Sequence, residues 1–194
     1  MQTVPWALPE GDIRNANGAG MKLSNGERLI VALLCDISKK LDARHEIDPE
    51  FVMRALGAHE WSLAWEYSGL LDQEVAPPLV SETCDILDMW RALEDAYAAL
   101  SDVDKGRVDA ALGEANPVEF SGFDGNHDEH HSIAYHLIEA MGKYQHFKGR
   151  NINSHSQASL PEYKVMLRRF DRMAFHRDPS ADRIIAVMGG PQSA

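Results

Sequence analysis

Cysteine is scarce in this chain of 194 residues, with only Cys35 and Cys84 present. No C-x-x-C pair exists, which excludes thioredoxin-type exchange chemistry and cysteine zinc sites. Both residues sit within helical apolar patterns, and nothing suggests a disulfide framework. Long hydrophobic runs are missing too: the longest, Leu29 to Cys35, is seven residues, well short of the roughly 20 a spanning helix needs. The first residues lack a basic leader region and place Glu10 and Asp12 where an apolar stretch would be required. These absences predict a soluble protein of a reducing compartment, the cytoplasm, with no membrane partner. Basic charge is also in short supply. Lys and Arg number 19 against 30 Asp and Glu, a formal net charge of −11, which excludes nucleic-acid binding by bulk positive charge.

What is present is helical periodicity. Residues 1–20 hold Pro5, Pro9, Gly11, Gly18 and Gly20 without a sustained pattern and read as a tail or extension, with Met21 opening the ordered part. Ser24 with Glu27 forms a capping box, and Leu29, Ile30, Leu33, Leu34, Ile37 and Leu41 follow as one apolar stripe. Asp48-Pro49 starts a second helix, with a kink or break expected at Gly57. Pro77-Pro78 open a third, carrying Ile86, Met89, Trp90, Leu93 and Tyr97, and a short helix is expected over about 102–112. The stretch 113–126 reads as a partly packed loop. A helix over about 128–145 carries Ile133, Leu137, Ile138, Met141 and Tyr144. The polar segment 148–159 shows no helical stripe. Ser159 and Glu162 suggest another capping box, Asp178-Pro179 opens the last helix, and Gly189-Gly190 ends it. No strand alternation, repeat or low-complexity tract appears. The expectation is an all-α, multihelical domain of six to seven helices over residues 21–190, with residues 191–194 as a short C-terminal tail.

Three groups of residues could carry chemistry. His127 and His131 are four apart, so on a helix their rings would share a face, and Asp124 could approach from the preceding turn to complete a divalent-metal site. Against this stands the simpler reading of an acidic helix start with exposed histidines beside it. Glu82, Asp85 and Asp88 recur at helical spacing, with Glu94 and Asp95 beyond them; a solvated acidic face explains them best. The third group is the span 143–183, which holds nine Lys or Arg and four acids. It is therefore +5, leaving −16 on the rest of the chain. Lys148, Arg150, Asn153, His155, Lys164, Arg168 and Arg172 could meet an anion or a partner there. Neutralisation by the chain's own acidic helices, or by those of another subunit, is the preferred reading. There is no G-x-S-x-G elbow, P-loop or dinucleotide fingerprint, so no catalytic residue and no organic cofactor are assigned.

The chain resembles the YfbU family of small bacterial proteins. The resemblance rests on Met21-Lys-Leu-Ser-Asn-Gly-Glu-Arg-Leu-Ile30 and on Glu82-Thr-Cys-Asp-Ile-Leu-Asp-Met-Trp-Arg-Ala-Leu93. It continues through Gly122-Phe-Asp124, Gly142-Lys-Tyr-Gln-His-Phe147, Tyr163-Lys-Val-Met-Leu167 and Arg169-Phe170, so it covers about residues 21–188. It implies a multihelical cytoplasmic protein that self-associates, and supplies no catalytic motif; the segment 127–131 is not one of its hallmarks. The functional expectation is a non-catalytic protein acting through homo-oligomerisation and protein partners. The alternative is a metal-dependent hydrolase using His127 and His131 with a nearby carboxylate.

Overall fold

A computed structural model describes residues 22–41, 46–71, 76–113, 117–155, 159–173, 175 and 178–189. The tails expected over 1–20 and 191–194 lie outside the described residues. Helices dominate, as the periodicity requires: eight α-helices are present among the described residues, with no strand beyond a single isolated bridge. The chain divides into two compact units at the Pro77–Pro78 bond.

The first unit contains α1 (Asn25–Lys40), α2 (Pro49–Ala55) and α3 (Trp61–Glu66). The Ser24 hydroxyl accepts from the Glu27 amide, and the Glu27 carboxylate accepts from the Ser24 amide, so the capping box forms as its spacing predicts. Asp48 caps α2, with Pro49 behind it. Gly57, at φ +98°, follows the end of α2, so the break expected there is present and a separate helix, α3, begins at Trp61. Phe51, Val52, Ala55, Leu63 and Ala64 form the core of the unit. Arg28 reaches Glu60 at 2.8 Å, and the Asp48 amide donates to the Tyr67 hydroxyl at 2.9 Å, tying helices to the turns beside them.

The second unit is organised around α4 (Pro78–Ala99), whose 22 residues bury Val80, Cys84, Ile86, Leu87, Met89, Trp90, Leu93 and Tyr97. Residues buried at that density leave little free face. α6 (Glu129–Tyr135), α7 (Leu160–Arg172) and α8 (Ala181–Met188) pack against α4, and α5 (Asp102–Leu112) packs on α8.

Two sequence expectations are corrected in this unit. The helix expected to run to Gln145 leaves α geometry after Tyr135. Residues His136–Ala140 form a π-helical turn, in which the Met141 amide donates to the His136 carbonyl, and Gly142 and Tyr144 then take positive φ. Tyr144 therefore lies beyond the helix, not on its stripe. Ser159 does not cap α7 with its side chain, because its hydroxyl donates to the Gly122 carbonyl at 3.0 Å instead.

The long connections of this unit are packed. Val118, Phe120 and Phe123 in one, and Phe147 and Ile152 in the other, are buried. The two join at a one-residue parallel bridge: Phe123 donates to the Ile152 carbonyl at 3.0 Å, and Ser154 donates to the Phe123 carbonyl at 2.9 Å.

Candidate functional site

Each candidate group from the sequence finds a definite place in the second unit. Glu94, near the C-terminal end of α4, is the centre of one cluster. Its carboxylate accepts two hydrogen bonds from Arg150, at 2.7 and 3.1 Å, and a third from the Phe120 amide at 2.6 Å. His146 contacts the same carboxylate. Arg150 also donates to the Phe120 carbonyl at 3.1 Å and lies 5.3 Å from the Phe147 ring centre. The ion pair thus grips both polar atoms of one backbone residue, and the Phe120 ring is held among Trp90, Phe123, Phe147 and Tyr163. Burial raises the Glu94 pKa, but the Arg150, Phe120 and His146 hydrogen bonds outweigh it and hold the carboxyl below its ordinary range. A shallow cleft of about 400 Å³ lies over this cluster, bordered by Glu94, Tyr97, Lys105, Glu119 and Arg150. Its guanidinium is already matched by carboxylates, with Glu119 at 3.6 Å as a second partner.

A second cluster sits nearer the N-terminal end of α4. The Glu82 carboxylate meets His130 Nε2 and Lys164 Nζ, each at 2.8 Å. His130 is buried and packs at 5.5 Å from the Phe123 ring. Burial would raise the Glu82 pKa, but Lys164 and His130 together lower it. One turn along, Asp85 is raised by burial first and then by the neighbouring carboxylates Asp171, Asp88 and Glu82. The acidic row on α4 is therefore partly solvated and partly a docking strip for cations of the span 143–183.

The anion-binding candidates scatter. Arg150 and Lys164 are engaged with α4, at opposite ends of it. The Asn153 side-chain oxygen accepts from the His155 amide in its own loop and from the Gly125 amide in the other connection, so it ties the two together. His155 is exposed with φ +51°, and its ring is 3.4 Å from the Asn151 amide nitrogen. Lys148 is exposed after the short 3₁₀ turn Gln145–Phe147, and Arg168 and Arg172 are exposed on α7.

The metal candidates are brought together only in part. His127 Nδ1 is 2.6 Å from Asp124, and Asp124 also accepts from the Asn126 amide. His127 lies in the turn ahead of α6, however, and α6 begins at Glu129, so the shared helical face expected for His127 and His131 does not arise. Among the described residues, no group of three or more His, Cys, Asp or Glu side chains is placed to hold a metal ion. Both thiols are buried, and burial pushes Cys84 up to about 11.

The most unusual surface lies in the first unit, on α1. Of the sixteen residues of α1, Cys35 alone is buried. Leu29, Ile30, Leu33, Leu34, Ile37 and Leu41 are 51–72% exposed. The side of α1 turned toward the rest of its unit carries smaller or polar residues, with Val31, Ala32 and Ser38 half-buried beside Cys35. A helix normally turns its large apolar face inward. Here the small side chains face in and the large ones face out. Spacing located the stripe, but its exposure follows from how α2 and α3 pack.

These features describe an all-helical protein with polar clusters that knit its larger unit together and an open apolar helix face on its smaller one. No described helix is long and apolar enough to cross a membrane. The YfbU domain family model matches residues 21–187, across both units, and the chain belongs to the YfbU family. Neither a curated protein nor a solved structure matches it.

Proposed function

We propose that this protein is a non-catalytic binding protein that works by assembly, with α1 as its contact helix. The observation that carries this reading is the exposed row Leu29, Ile30, Leu33, Leu34, Ile37 and Leu41. Together these side chains present on the order of 600 Å² of apolar surface, the upper end for the largest patch on an ordinary monomer. Isolated exposed leucines need no explanation, but a contiguous stripe on one rigid helix marks an interaction surface. The split of charge along the chain supports the same reading. Part of the +5 on residues 143–183 is met by Glu82 and Glu94, while Arg168 and Arg172 stay exposed on an otherwise acidic molecule, available to steer an acidic partner surface.

The test is a dye that reports uncovered apolar surface. Anilinonaphthalene sulfonate fluorescence per chain should fall as the chain concentration rises and the stripe becomes covered. In the double variant Leu33→Glu/Leu34→Glu it should be weak at every concentration. Signals independent of both concentration and substitution would overturn the reading.

A further inference from the structure

We infer that the partner of α1 is α1 of a second copy of this chain, packed antiparallel across a twofold axis. This rests on the reading of α1 as a contact helix and adds the identity and orientation of what covers it. The exposed area suits a pair of such helices. A standard interface takes roughly 800 Å² from each partner, and the six exposed residues of α1 supply most of that from one helix. Leu70 and Leu71, 60% and 37% exposed, are further uncovered apolar side chains of the same unit. A twofold contact uses the same patch on both chains, so a patch of nearly full size and wholly apolar character is self-complementary in chemistry.

The charges at the two ends of α1 favour one orientation. The first turn of α1 carries Glu27, and Arg28 beside it is paired with Glu60. The last turn carries Lys40, which is exposed, and Lys39, which is paired with Glu50 at 3.6 Å. The helix macrodipole adds partial positive charge at the first end and partial negative charge at the second. A parallel pair would set Glu27 beside its own copy, the two lysine-bearing ends beside each other, and the dipoles side by side in the same sense. The antiparallel pair sets the acidic end against the basic end and opposes the dipoles. The middle of the stripe, from Leu29 to Ile37, is free of charge on its outer face except at Asp36 on its flank, so it does not oppose that pairing.

Orientation can be read by cross-linking full-length chains. Gly26 has open space around a built Cβ, and Lys40 is exposed at the other end of α1, so Gly26→Cys and Lys40→Cys each place a thiol without disturbing packing. The two variants are mixed, equilibrated, treated with a short bis-maleimide and resolved by mass. The native thiols are buried, and unsubstituted protein provides the background. The antiparallel pair predicts cross-links between residue 26 of one chain and residue 40 of the other, in at least about tenfold excess over 26–26 and 40–40 products, the ratio that about 1.4 kcal/mol between orientations would give.

Sedimentation of the same samples separates the failures. Associated chains that yield like-with-like products, equal yields, or no cross-link above background overturn the antiparallel pairing and leave α1 as a contact helix. Chains that sediment as monomers at all concentrations overturn the pairing together with the reading on which it rests.

Discussion

Replacing Glu94 with alanine is expected to destabilise the second unit by about 3 kcal/mol, the lower end for breaking a buried ion pair by removing one partner. The lower end applies because the Arg150 side chain is 27% exposed and regains some water when left alone. The loss has two parts that a second variant separates. Glu94→Ala removes the charge that holds Arg150 and also the acceptor of the Phe120 amide, an unmet buried donor that by itself costs about 1–3 kcal/mol. Glu94→Gln removes the charge but retains an acceptor for Phe120, so it should cost less. A fall in melting temperature on the order of 10 °C is expected for the alanine variant, with a smaller fall for glutamine. The same residue sets an acid limit. The Glu94 pKa is lower in the folded chain than in the unfolded one. The stability it contributes is therefore complete above the ordinary glutamate value of about 4.3 and is lost as the pH falls through its folded value. Asp85 acts with the opposite sign, because its folded pKa is raised. The Glu94 contribution is accordingly read as a difference: the gap between native and Glu94→Ala melting temperatures should narrow as the pH drops below that range. A constant gap would contradict the assignment.

Gly122→Ala should be comparably damaging, for a reason of shape. Gly122 sits at φ +91°, and a Cβ built there would lie 2.1 Å from the Ile152 carbonyl oxygen and 2.8 Å from the Asn153 nitrogen. Neither neighbour is the tip of a flexible side chain. The strain of the backbone angle alone is of order 1–3 kcal/mol, and relief of the clash must part the bridge between Phe123 and Asn153. The Gly122 carbonyl also receives the hydroxyls of Ser159 and Tyr163, each at 3.0 Å, so a shift there is passed to the start of α7. A loss of about 3 kcal/mol is expected, with amide exchange accelerating at Phe123 and Ser154, whose hydrogen bonds form the bridge. An alanine variant with unchanged melting temperature and unchanged protection at those two amides would show that the close approach is not required.

The helices were readable in the sequence because their signals are local. Ser24 and Glu27 are three residues apart, Pro49 and Pro78 stand where donors are not needed, and Gly113 and Gly189 supply left-handed caps. What was not readable depends on partners far along the chain. Ser159 carries the sequence of a cap, yet its hydroxyl is used by a carbonyl 37 residues earlier. Arg150 looked available to an anion, but its carboxylate partner Glu94 lies 56 residues before it. His127 and His131 had helical spacing without both being on the helix, since the turn from Asp124 delays its start to Glu129. The stripe on α1 failed in another way. Periodicity locates an apolar face, but whether the chain itself covers that face depends on tertiary packing, and for α1 the unit's core is built from α2, α3 and the small residues behind the stripe.

Sedimentation equilibrium tests the role of the exposed α1 face most directly. The full-length chain and its Leu33→Glu variant would be compared over a wide concentration range, with circular dichroism to confirm equal helix content. Leu33 is 62% exposed, so the substitution should change the stability of a lone chain by no more than about 0.5 kcal/mol. The native chain should sediment at a multiple of its single-chain mass, and the variant at the single-chain mass with unchanged helix content. A native chain that stays monomeric throughout, or a variant that associates as strongly as the native chain, would contradict that role.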